Sequence, residues 1–105
     1  MASSVVALAL ATGCGGGGPG DEEKDRAVAA AEDAYREARA QGVDLERGPC
    51  IAEELPGLSA WVADVAHDPR EDVDDDPANQ CQRYRDGEAE HFVELTPDGE
   101  LIRAM

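Results

Sequence analysis

The run WVADVAH at residues 61–67 decides how this chain is read. Side chains of an extended strand alternate between faces. Trp61, Ala63, Val65 and His67 therefore share one face, and Val62, Asp64 and Ala66 the other. Trp61 is the only tryptophan, and its large apolar surface makes it the expected anchor of the core. On the N-terminal side, Cys50-Ile51-Ala52 reads as a short strand, set between the turn signals Gly48-Pro49 and Pro56-Gly57.

A helix is predicted upstream of these strands, starting at Asp21 or Glu22 and stopping at Gly42. Acidic residues crowd its start (Asp21, Glu22, Glu23, Asp25), and Arg36 and Arg39 sit near its end, which suits the helix dipole. Glu22 with Arg26, and Glu32 with Arg36, are favourable i,i+4 pairs. Val28, Ala31, Tyr35 and Ala38 form a narrow, alanine-rich stripe, so the helix should pack closely on a sheet. Downstream of residues 61–67 comes an acidic loop. Asp76-Pro77 then has the form of an N-cap followed by a first helical residue. This predicts a short helix from Pro77 to about Arg85, ended by Gly87, with Cys81 and Tyr84 on one side.

Residues 91–105 read as a β-hairpin around Thr96-Pro97-Asp98-Gly99. Two registers compete. A two-residue Asp98-Gly99 turn pairs Leu95 with Ile102, Glu94 with Arg103 and Val93 with Ala104. A proline-initiated turn with a bulge at Gly99 shifts the pairing by one. Pro97 favours the second, which is the expectation adopted. The predicted fold class is α+β: an N-terminal helix on a small antiparallel sheet, a short inserted helix and a C-terminal β-hairpin, all within residues 21–105.

The 105 residues suffice for one domain. The net charge is −15, and residues 1–13 contribute nothing to it. A nucleic-acid partner is excluded on that ground, because phosphate neutralisation needs clustered Lys and Arg. Anionic headgroups would also be repelled, so any membrane attachment must come from lipid. With few aromatic side chains, the core is small, and a domain of this size commonly needs a covalent staple.

Residues 5–11, VVALALA, are too short to span a bilayer but suit the apolar region of a signal peptide. Ala11-Thr12-Gly13-Cys14 follows. This run resembles the lipobox of bacterial lipoproteins, in which the cysteine is diacylated, becomes the mature N-terminus and is often acylated again on its amino group. The resemblance implies a signal peptide at 1–13, lipidation of Cys14 and a tether at 14–20. Two acyl chains give stable anchoring where one is marginal. The sequence departs from the family pattern at Ala11, where leucine is usual, and in lacking Lys or Arg near Met1, which suggests a true start upstream. Ala9-Leu10-Ala11 also fits ordinary signal peptidase, which would release a soluble product. The Gly15-Gly16-Gly17-Gly18-Pro19-Gly20 tether would reach roughly 13 Å as a random coil, holding the domain close to the membrane.

With Cys14 assigned, Cys50 and Cys81 remain. Outside the cytoplasm they are expected to pair, closing a loop of about 32 residues. The alternative, a metal held with His67 and His91, has no usual zinc spacing. Gly48-Pro49-Cys50, Ala60-Trp61-Val62 and Phe92-Val93-Glu94-Leu95-Thr96-Pro97-Asp98-Gly99 resemble small lipoproteins of high-GC bacteria. Over the last third of the chain, the order of elements is also similar to PepSY-like domains. Those are extracytoplasmic modules, some tied to protease inhibition or membrane-proximal regulation, and the likeness is one of fold only.

No catalytic constellation stands out. Asp72, Asp74 and Asp76 copy the opening of an EF-hand calcium loop, but Pro77 replaces the needed glycine and Arg83 the bidentate glutamate. A nonstandard calcium site competes there with a solvated loop capping the next helix. His67-Asp68 suggests an oriented base, yet the nucleophile is missing: Ser59 is the only serine after the export segment, and Thr96 sits in a turn. The expectation is therefore an exported binding or regulatory module, lipid-anchored to the outer face of the membrane. It is not expected to be an enzyme or to need a cofactor, and its partner is expected to be an envelope protein. The alternatives are a calcium-responsive protein using the acidic loop and a small hydrolase.

Overall fold

The first helix, α1 (Asp21–Ala40), begins with three acids in its first turn, as the dipole argument requires. Its end is a Schellman motif: the Val43 N–H reaches Ala38 O at 3.0 Å and the Gly42 N–H reaches Arg39 O at 3.1 Å, with Gly42 at φ +80°. The computed structural model describes residues 19–105. The expected signal segment, Cys14 and the glycines through Gly18 lie outside the described residues. Ala27, Ala31, Tyr35 and Ala38 are the buried stripe; Ala27 takes the place expected for Val28, which is only partly buried. On the exposed side, Arg36 pairs with Asp33 rather than with Glu32, an exchange of little energetic weight. No helix among the described residues is long and apolar enough to cross a membrane.

Four strands follow: β1 (Cys50–Ala52), β2 (Trp61–Val65), β3 (His91–Leu95) and β4 (Leu101–Ala104), in the spatial order β1-β2-β3-β4. The outer pairings are antiparallel, as expected. The central pairing differs: β2 and β3 run parallel, with Trp61 opposite His91 and Val65 opposite Leu95. The reason is residues 66–90. A parallel pair needs a crossover of a dozen or more residues, and this segment supplies it, returning the chain to the end where β2 began.

The helix predicted from Pro77 to Arg85 is broken in two. Asp76 does cap, accepting from Ala78 N at 3.0 Å, but only a 3-10 turn, Pro77–Asn79, follows. The second helix, α2 (Gln82–Arg85), starts separately after Cys81. Its cap is distant in sequence: the Glu53 carboxylate accepts from Gln82 N at 2.9 Å and Arg83 N at 3.0 Å.

Each sheet face has its own layer. α1 covers the face carrying Trp61, Ala63, Val65, Val93 and Leu95, and Leu45, Leu55 and Leu58 complete that core. Trp61 is fully buried, and its indole N–H donates to Glu23 at 2.7 Å, tying β2 to the start of α1. The crossover covers the opposite face, where Cys81 and Ala89 pack on Val62 and Phe92. There Cys50 and Cys81 form a disulfide with Cα atoms 4.8 Å apart, joining the crossover to the edge strand.

The hairpin contains both expected registers in succession. Next to the turn the proline-initiated form holds: Gly99 N donates to Thr96 O at 2.8 Å, Thr96 N to Glu100 O at 2.7 Å, and Leu95 faces Leu101. Beyond it, Glu94 faces Arg103 and Val93 faces Ala104, the pairs of the Asp-Gly register. An extra residue on β4, Ile102, makes the bulge that converts one into the other, so the expected Leu95–Ile102 pair does not form. Tyr35 holds the turn to α1 by donating its hydroxyl to Pro97 O at 2.7 Å. Its ring lies so close that a Cβ on Gly99 would sit 2.8 Å from Cε2.

Two stability predictions follow from these contacts. Replacing both Cys50 and Cys81 by Ser should lower unfolding stability by about 3 kcal/mol, in line with the loop released in the denatured chain, as read from urea melts of the oxidised parent and the variant. Gly99→Ala meets both a positive φ of 92° and the Tyr35 ring, and should cost about 2 kcal/mol. A variant as stable as the parent would refute the close packing of turn on helix.

Candidate functional site

Covering both faces of β2 makes its interior hostile to charge. Trp61, Val62, Ala63 and Val65 are buried and apolar, yet Asp64 stands among them. Its neighbour on the parallel strand β3, in direct register, is Glu94. Two carboxylates thus lie side by side on the face that the crossover covers.

The structure treats them differently. Glu94 is buried but well supplied: Arg70 donates from Nη1 to Oε2 at 3.1 Å, and the Arg103 Nε lies 3.3 Å from Oε1. Arg70 is itself held by Asp75 at 3.1 Å and by the Asp74 carbonyl at 3.2 Å. Charge-assisted bonds of this kind satisfy the acceptors of a buried carboxylate. Asp64 receives no such support. Its Oδ1 is buried without a hydrogen-bond partner among the described residues. Burial, and then the nearby Glu94, push its pKa from 3.8 to about 8, with Arg70 pulling the other way and Asp74 adding to the rise. At neutral pH, Asp64 is mostly an uncharged acid.

Above Asp64 the crossover does not close fully over the sheet. It leaves a groove of about 430 Å³, a volume at the small end of ligand sites. Val62 and Phe92 form the floor, and Tyr84 of α2 meets Phe92 edge-on at 5.2 Å between ring centres. Asp64 and Glu94 on the same sheet face, Arg70 of the crossover and the exposed Arg85 of α2 supply its charged lining. Arg85 makes no ion pair or side-chain hydrogen bond with the described residues, whereas its neighbour Arg83 is bound to the Glu53 and Ser59 carbonyls at 2.6 and 2.8 Å. The groove therefore combines an apolar floor, an unsatisfied acid and an unengaged cation, a combination that many binding pockets share.

The acidic loop singled out in the sequence has a structural job. Asp74 is buried, and its carboxylate accepts from His67 N and Glu71 N, each at 2.9 Å, and meets His67 Nδ1 at 3.0 Å. Burial alone would raise its pKa, but these bonds outweigh it and hold the group below its usual value. The same bond from Asp74 raises the pKa of His67. The partner of His67 is thus Asp74, not the adjacent Asp68. Gly48, at φ +67°, leaves the space this carboxylate fills, since a Cβ there would strike Oδ1. Asp76 is spent on its cap. Among the described residues Asp72, Asp74 and Asp76 are not gathered around one point. The residues that are gathered, Cys50, Glu53 and Cys81, have both sulfurs in the bridge and the carboxylate on the start of α2.

His67 lines a shallow cleft together with Thr96, whose hydroxyl accepts from Glu100 N at 3.0 Å. His91 packs on Trp61 with ring centres 5.0 Å apart. Neither histidine is in the groove. Asp64, Glu94, Arg70 and Arg85 were not among the candidate residues from sequence. The signal that could have found the first two is a lone acid inside each of two otherwise apolar strands.

Comparison of the chain with protein-family models, with curated proteins and with solved structures finds no match.

The Asp64 environment sets the sign of a pH effect. Its folded-state pKa lies above the unfolded one, so the folded protein keeps a proton that the unfolded chain gives up. Its contribution to stability therefore falls as pH rises from about 4 to about 8. Asp64→Asn removes that slope. The variant should gain several kcal/mol over the parent at pH 8, about 5 by linkage, and almost nothing at pH 4, as measured by denaturant melts across this range. Parallel pH profiles for the two proteins would contradict the assignment.

Proposed function

We propose that this protein is a membrane-tethered extracytoplasmic binding module, carried on lipidated Cys14 and presenting the groove above Asp64 to a ligand or partner in the envelope. The observation that carries the reading is the groove itself: a buried, unsatisfied carboxyl on the floor of an apolar cleft is costly to keep unless something uses it. The disulfide supports the address, since such bridges persist in oxidising compartments. The pairing of Cys50 with Cys81 takes both other thiols, so acylation of Cys14 competes with no bridge. Ala11-Thr12-Gly13-Cys14 supplies the processing signal, and the glycine tether brings the domain to within a short distance of the bilayer. The acidic surface would keep the domain off anionic headgroups, leaving the groove clear of the membrane. Binding rather than catalysis is favoured because, among the described residues, neither histidine and no serine, threonine or free thiol lines the groove.

The test is expression of the full precursor in a bacterium that processes lipoproteins, with an alkyne-bearing palmitate supplied in the medium. The parent should take up label and sediment with membranes. Cys14→Ser should lose the label and leave the membrane fraction, with the Cys50–Cys81 bridge intact. Unlabelled parent protein that remains in the cytosol with Met1 in place and both later thiols free to alkylation would overturn the reading.

A further inference from the structure

The groove's own chemistry narrows what can occupy it. Glu94 has both carboxylate oxygens engaged, by Arg70 and Arg103, so it offers little to a ligand. Two groups remain unsatisfied among the described residues: the Asp64 carboxyl, whose Oδ1 has no hydrogen-bond partner, and the Arg85 guanidinium, both lining the same space. Val62, Phe92 and Tyr84 add apolar surface to the same lining. A simple cation would satisfy Asp64 but face Arg85, and a simple anion would do the reverse. A molecule carrying an ammonium and a carboxylate beside an apolar body satisfies both groups and uses the apolar lining.

We propose that the groove binds a small zwitterion with an apolar body, an apolar α-amino acid in shape and size, whose ammonium pairs with Asp64 and whose carboxylate pairs with Arg85. This assignment rests on the binding-module reading and names its ligand class. A volume of about 430 Å³ holds such a molecule with the apolar part against Phe92. The ammonium would meet Asp64 in its charged form, so binding is coupled to release of the Asp64 proton. The charged groups acting on Asp64 are Glu94 from β3 and Arg70 and Asp74 from the crossover; Arg85 and the Tyr84 phenol of α2 line the same groove, and α1 lies on the other side of the sheet. Of these, Glu94 and Asp74 raise the Asp64 pKa and Arg70 lowers it. Affinity should rise about fivefold from pH 7 to pH 8, following the ionised fraction of Asp64.

The experiment is amide-shift mapping by NMR on the full chain, isotope-labelled and oxidised. It compares phenylalanine, phenethylamine and 3-phenylpropionate as probes. Phenylalanine should move the amides of Val62, Asp64 and Phe92 saturably, at least tenfold more tightly than either partial analogue. Asp64→Asn should weaken phenylalanine at least tenfold. Arg85→Gln, an exposed change, should bring phenylalanine down to the level of phenethylamine without disturbing other amides. Equal binding of either partial analogue, or a flat pH profile, overturns the zwitterion assignment and leaves the groove as a binding site. No response to any of the three probes overturns the assignment alone, because the binding-module reading stands or falls with the Cys14 labelling experiment.

Discussion

The attachment of residues 66–90 to the second face of the sheet is the constraint from which the remaining features follow. This segment has little apolar surface of its own; Cys81 and Ala89 are its buried residues against Val62. Two devices hold it. The bridge from Cys81 to Cys50 ties it covalently to β1, and Glu53, just past the end of β1, caps α2 through Gln82 and Arg83. A covalent link acts mainly by restricting the denatured chain, which suits a layer too polar to be held by burial alone. With the crossover fixed there, β3 enters beside β2 in the parallel sense, and β4 closes the sheet as a hairpin.

That arrangement makes β2 an interior strand covered on both faces, and a strand in that position ordinarily reads as a continuous apolar run. Asp64 breaks the run. Its partner Glu94 is engaged by two arginines, while Asp64 has no such donor among the described residues and relies on protonation, so the pair is asymmetric. The imperfect cover left by the crossover supplies access, and the unengaged Arg85 supplies the opposite charge. The His67–Asp74 contact does different work. It uses one buried carboxylate to satisfy two backbone N–H groups of the crossover and fixes the path of the chain as it leaves β2.

Much of the architecture was readable from local rules. Acids at one end and Gly42 at the other set the limits of α1, the alternation in WVADVAH placed Trp61 in the core, and the two cysteines left after Cys14 paired. Non-local choices were not readable. A strand, a long polar segment and another strand are compatible with an antiparallel meander as well as with a crossover, and nothing in residues 66–90 declares which face they will cover. The hairpin combined two registers because Pro97 governs the turn while the Glu94–Arg103 pair governs the strands, and Ile102 absorbs the difference. Asp64 looked like an ordinary residue on the face opposite Trp61, where a half-exposed sheet tolerates a carboxylate. Only the covering layer turns that face into an interior, so the site became visible with the fold. His67 likewise seemed to belong with Asp68 because adjacency is all that sequence offers; the turn Asp72–Asp75 brings Asp74 to it instead.

The central claim is that Asp64 is a protonated acid in a covered groove. Carbon-detected NMR titration of the side-chain carboxyl groups in the oxidised protein tests it directly. The account predicts that the Asp64 carboxyl titrates near pH 8, while Asp74 titrates below the ordinary aspartate value. An Asp64 midpoint close to 4 would mean that water or protein donors already satisfy the group, and the account of the groove would fail.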